Sequence, residues 1–256
     1  MPSMNDKMGG ADQLDIGLII TAPTKDKDWL KKCAIMGLLM LIPVAGALNL
    51  SGWVKTIAER RLAGGPDVDT LPEAGLHYIS PGWKFFLAYL PLMGIFFLLM
   101  IVGGAVAGVA VAVGTKGGGG GSQAAEAIAM GVVVLMYVGL LVFALVMAVV
   151  GPAITFLHVV DGEPYASVQF KKMWEVMQLG GTQYLLLFVA VLVAGMIGQL
   201  GVIACYFGLF VTLPFSQAMT GVAVAEYAKI LRPMKAGFHV DGGTGGASGQ
   251  PFGVKL

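Results

Sequence analysis

Charge is what this chain has least of. Its 256 residues hold only 16 Lys and Arg and 15 Asp and Glu, 12% together, where a soluble domain carries about a quarter. Cysteine and histidine are almost as scarce. Cys33 and Cys205 each open an apolar segment, where a thiol behaves as a small hydrophobe, so no disulfide framework is expected. The three histidines, His77, His158 and His239, have no ligand-spaced partners, which excludes a sequence-legible zinc site; His158 and Asp161, three residues apart, are expected to cap a helix end rather than hold a metal. There is no nucleophile elbow, no Ser-x-x-Lys and no paired-carboxylate arrangement, and the expectation is a non-enzyme without cofactors. No basic stripe marks a nucleic-acid partner.

What fills the space is apolar: 57% of residues, with a mean hydropathy of +0.80. Between Glu175 and Glu226 fifty consecutive residues lack any Asp, Glu, Lys or Arg, and windows of 22, 31 and 34 such residues precede them. A bilayer core about 30 Å thick needs roughly 20 apolar residues per helical crossing, so the fifty-residue window holds two spans and a tight turn. The chain is an all-α integral membrane protein, with the lipid bilayer as its first partner. Its apolar segments are Cys33 to Val54, Phe85 to Val113, Ala127 to about Leu157, Thr182 to about Leu200 and Val202 to about Ala228. Residues 15–232 form the helical membrane domain. Residues 1–14 and the Gly-rich 233–256 are expected to be disordered tails, and Thr115 to Gln123, with glycines at 117 to 121, a flexible connector.

The basic residues argue the topology. Five plain spans would divide Lys and Arg six to ten across the membrane, a weak bias for a rule usually obeyed clearly. If Cys33 to Val54 instead enters and leaves on one side, bent at Pro43 to Gly46, the division becomes fifteen to one, with Lys116 alone outside. The expected architecture is therefore a Pro-broken re-entrant or half-inserted helix pair followed by four transmembrane helices, both termini cytoplasmic; five plain spans is the alternative. Pro164 to Leu179, with Ala166, Phe170, Met173, Trp174 and Met177 at helical spacing, reads as an interfacial amphipathic helix. Trp29, Trp53, Trp83 and Tyr184 at segment ends form an aromatic belt.

Two patterns supply candidate sites. GLLMLIPVAGA aligns with GLFVTLPFSQA at an offset of 171, matching Pro43 to Pro214; matched broken segments can mark a midplane binding site in repeat-built transporters. Asn49 and Gln217, just beyond those prolines, are the residues to examine for binding or hinge motion. Gly104 and Gly108, and Ala194 and Gly198, have the small-xxx-small spacing that lets helices approach closely, within this chain in preference to a second protein.

Asp15-Ile16, Asp28-Trp29-x-Lys31-Lys32, Ile42-Pro43, Gly52-Trp53 followed by a basic stretch and Gly64, and Leu71-Pro72-Glu73 together resemble a prokaryotic membrane family of unknown function, DUF4013. The likeness is specific over residues 14 to about 75 and looser through 231; the long Gly-rich connector and tail depart from it. It implies a bacterial or archaeal cytoplasmic-membrane protein, and no catalytic residue carries over. The leading functional expectation is a scaffold or accessory subunit, with a membrane-protein partner or a second copy. The alternative is a carrier for a lipid or other apolar small molecule.

Overall fold

The computed structural model describes residues 13–115, 121–203 and 208–241. Among these, all regular structure is helical: α1 (Ile16–Thr21), α2 (Trp29–Leu39), α3 (Ala45–Ala63), α4 (Ile79–Thr115), α5 (Gly121–Val160), α6 (Phe170–Gly180), α7 (Thr182–Ile203) and α8 (Leu209–Asp241), with short 3-10 turns between some of them. Four helices are long and apolar enough to cross a membrane: Leu76–Val109, Met130–Val160, Thr182–Gly201 and Leu209–Pro233.

The expected break in the first apolar segment is present. Proline has no N–H to continue a helix, and here Ala45 N–H bonds back to the Pro43 carbonyl (2.6 Å) across Val44, whose φ of 63° and ψ of −57° make a γ-turn. The reversal is tight enough that a Cβ on Gly46 would stand 2.4 Å from the Leu39 carbonyl oxygen. Both arms of the pair lie against α8. Gly37 abuts Phe210, where a Cβ would fall 1.8 Å from the carbonyl oxygen, and Gly221 faces Val54. The partner segment does not break: α8 passes straight through Pro214, so the matched sequences adopt different structures.

The core gathers around α8. Trp53, Phe156, Leu187, Met219, Tyr227 and Leu231 are among its fully buried side chains. α3 and α4 meet at paired glycines, with Gly82 against the Leu48 carbonyl and Gly52 against that of Tyr78. α4 and α5, 37 and 40 residues, are about 55 and 60 Å long at 1.5 Å per residue. Only their proximal ends join the core, through Ala88 on α4 and Ala153 to Leu157 on α5. Beyond Ile95 and before Val149 both are lined by exposed apolar side chains, and Phe96 stacks on Phe143 at 3.9 Å between ring centroids.

Several boundaries differ from the sequence expectation. Leu14 is buried and its N–H bonds Gln183, so order begins before residue 15. α8 continues through Pro233 to Asp241, so the helix extends into the segment expected to be a disordered tail. Pro164 does not start the amphipathic helix; a 3-10 turn, Ala166–Val168, precedes α6. The amphipathic face also divides: Met173, Val176 and Gly180 point into the protein while Phe170 and Trp174 point out. Trp53 and Tyr184 are buried rather than in a belt, their polar tips bonded to the Pro72 and Val149 carbonyls. Cys205, residues 1–12, the glycine run at 117 to 120 and residues 242–256 lie outside the described residues.

Candidate functional site

The polar centre of the molecule is a cleft of about 500 Å³ between the start of α2, the end of α3 and the α3–α4 loop, lined by Lys25, Asp26, Lys32, Arg60, Asp67 and Glu73 among others. Asp26 and Lys32 form a buried ion pair at 2.9 Å, their side chains 6% and 10% exposed. A buried carboxylate persists only when its lone pairs are satisfied, and Asp26 also accepts the N–H of Asp28 and of Leu71, both at 2.8 Å. Lys32 uses its remaining donors on the Leu71 carbonyl (2.7 Å) and Glu73 (3.3 Å). Burial alone would raise the Asp26 pKa, but the Lys32 hydrogen bond and the two N–H donors hold it below its usual value. Burial would lower that of Lys32, and the bonds to Asp26 and Glu73 hold it above.

A second group lies alongside. Arg61 donates through Nε to Glu226 (2.6 Å) on α8 and through a terminal nitrogen to Asp69 (3.2 Å), which also pairs with Lys25 (3.3 Å). Burial would raise Asp69, and the Lys25 and Arg61 bonds lower it on balance. Glu226 also receives Lys229. These contacts, with Trp53 Nε1 to the Pro72 carbonyl and Tyr78 O–H to the Glu73 carbonyl, tie the α3–α4 loop to the segment before α2, to α2 and α3 and, through Arg61, to α8. Asp26, Lys32, Arg61, Asp69 and Glu226 are each engaged by an opposite charge and together act as a strut, while Arg60 and Asp67 line the cleft without an ion pair among the described residues. Neighbouring Cys33 is buried and its thiol pushed up to about 12, which leaves it protonated and unreactive near neutrality.

The sequence-derived candidates separate. Asn49 is fully buried, donating to the Gly75 carbonyl (2.8 Å) and accepting the Tyr78 N–H (3.2 Å), which fixes the loop where it enters α4. Pro43 is exposed at the tip of the broken pair, Pro214 is buried within α8, and Gln217 is half-buried on the same helix. Ala194 is buried, and Gly198 lies against Ser216, where a Cβ would stand 3.0 Å from the hydroxyl. A Cβ on Gly104 or Gly108 would meet no described atom within 4 Å, so that pair packs against no described neighbour. His158 bonds the Glu163 carbonyl at 2.9 Å through Nδ1. Among the described residues no three His, Cys, Asp or Glu side chains are placed to hold a metal. Asp26, Lys32 and Arg61 escaped the sequence reading because charged residues at segment boundaries carry no spacing signature; their pairing spans up to 165 positions.

No curated protein and no solved structure matches this chain. The family described as protein of unknown function DUF4013 matches residues 35–207, from the body of α2 through the end of α7 and so across the broken pair, the strapped loop and three of the four long apolar helices. The chain belongs to the DUF4013 family.

Proposed function

We propose that the chain is a non-enzymatic scaffold or accessory subunit of a complex in a prokaryotic cytoplasmic membrane, with four crossings, both termini cytoplasmic and the α2–α3 pair inserted part-way from the cytoplasmic side. One observation carries the functional part. In the most apolar stretches of α4 and α5, 6% and 0% of residues are buried, against 33% and 50% in α7 and α8. The protein packs one hairpin, α7 and α8, into its core and leaves most of a longer one, α4 and α5, for lipid or another protein to cover. The ion pairs that engage Asp26, Lys32, Arg61 and Glu226 support a structural role, since these charges neutralise one another within the fold.

Native mass spectrometry of the chain extracted from its own membrane tests this. Reproducible heteromeric masses are the expected result. A lone chain carrying one tightly held apolar molecule would overturn it in favour of a carrier. The topology has its own check: a reporter fused at residue 65 is cytoplasmic, and an external reading excludes the half-inserted pair.

A further inference from the structure

The rim of the polar cleft is built differently from its floor. The floor is the buried Asp26–Lys32 pair, closed further by the Leu71 carbonyl and Glu73. The rim carries Lys27, Asp28, Arg60 and Asp67, all exposed, all lining the cleft, and none in an ion pair among the described residues. Two of these charges are positive and two negative. Asp28 stands at the N-cap of α2, where a carboxylate ordinarily accepts a helix N–H, yet its side chain makes no such bond. Asp67 is presented by a fixed turn. Gly64 and Gly65, at φ 72° and 114°, carry the chain out of α3, and Thr70 bonds the Asp67 carbonyl through its N–H (3.1 Å) and its hydroxyl (2.9 Å), which holds the backbone and leaves the carboxylate free. Arg60 and Asp67 also line an adjoining hollow of about 350 Å³ with Ala63, Gly64 and Pro66. Opposite charges that share two hollows without pairing leave room for a group between them.

Volume and charge together limit what fits. The cleft, about 500 Å³, has the size of a small-molecule site, which is roughly 300–1,000 Å³. A plain anion would meet the two free acids and a plain cation the two free bases, whereas a zwitterion satisfies both. The guanidinium of Arg60 takes two oxygens in its planar fork, and a phosphate keeps a further face for Lys27 where a carboxylate does not. A primary ammonium has three donors to divide between Asp28 and Asp67. A quaternary ammonium has none and is held by aromatic cages, and no aromatic side chain is among the described residues lining the cleft. We propose that the cleft binds a phosphoethanolamine group, with Arg60 and Lys27 on the phosphate and Asp28 and Asp67 on the ammonium. The same chemistry is offered by the free compound and by a lipid headgroup. Occupancy of the cleft is independent of the scaffold reading, since assembly with a partner is read from protein masses and occupancy from the small-molecule adduct.

The test uses the full chain in neutral detergent, with bound adducts counted by native mass spectrometry and the melting temperature followed in parallel. Free phosphoethanolamine, phosphatidylethanolamine, phosphatidylcholine, phosphatidylglycerol and inorganic phosphate are the probes. The ethanolamine group is expected to be retained and to raise the melting temperature, and the last three probes are not. A response to the free compound identifies a soluble source, and a response to phosphatidylethanolamine alone identifies a headgroup. Arg60→Gln and Asp67→Asn, each at an exposed position without an ion pair, leave folding intact and weaken retention by about tenfold, as loss of one charge-assisted contact does. Lys31→Gln, exposed and outside the cleft, leaves retention unchanged. No response to either ethanolamine probe overturns the proposal, as does an equal response to phosphatidylcholine, phosphatidylglycerol or inorganic phosphate. Wild-type retention by Arg60→Gln or Asp67→Asn, or an equal loss in Lys31→Gln, overturns the assignment to this cleft.

Discussion

At the scale of single residues, the stability of the charged end of the bundle rests on Asp26 and Lys32. Removing one partner of a buried pair strands the other, so Lys32→Met is expected to cost ~3 kcal/mol, with Asp26→Asn added to it recovering part of the loss. Thermal melts of the three variants check this. The pH dependence follows from the same contacts. Asp26 and Asp69 titrate below their ordinary value of 3.8, so their contribution is fully present above it and is lost as pH falls through the lower folded values. Lys32 titrates above 10.5, so its contribution is full below that pH and disappears as pH rises through the higher folded value. The melting temperature should therefore hold a plateau between about pH 4 and 10 as far as these groups set it; a fall beginning at neutrality would contradict their assignment. Val44 offers a gain. A β-branched residue at φ 63° is strained, and Val44→Gly is expected to stabilise by ~1 kcal/mol, read as a higher melting temperature.

At the scale of elements, close approach depends on which glycines face a backbone. Gly82→Ala would drive a Cβ into the Leu48 carbonyl, separating α3 from α4, and should cost ~2 kcal/mol or more. Gly104→Ala and Gly108→Ala meet open space among described atoms and should be neutral or stabilising by ~0.5–1 kcal/mol through helix propensity. The comparison inverts what the motif pattern favours. Gly104 and Gly108 satisfy the small-xxx-small spacing yet pack on nothing described, while Gly52 and Gly82 form a crossing point that spacing within either helix does not announce. Only the pairing of two segments thirty positions apart exposes it.

At the scale of the whole molecule, the division into a packed hairpin and a projecting one governs where substitutions matter. In lipid, helix association gains little from solvent exclusion and depends on packing. Leu187→Ala, in the core, should cost ~2–3 kcal/mol, whereas Leu98→Ala or Leu141→Ala on the exposed lengths of α4 and α5 should stay within ~0.5 kcal/mol for the isolated chain. Unfolding of the purified protein in mixed micelles measures all three. Greater sensitivity at Leu98 in the native membrane than in detergent would locate a partner on that hairpin.

Four long apolar helices, the break at Pro43 and the charged boundaries were legible in the order of residues, since bilayer thickness and the missing proline N–H act locally and leave long runs and a single mark. The Asp26–Lys32 strut, the role of Asn49 in holding the α3–α4 loop and the burial of Trp53 were not. Each depends on which distant segment arrives beside it, and in a chain whose helices are apolar on nearly every side, composition does not distinguish a face that meets lipid from one that meets protein. Packing makes that choice, through close contacts such as Gly37 on Phe210 and Gly82 on Leu48 that hold α2 to α8 and α3 to α4.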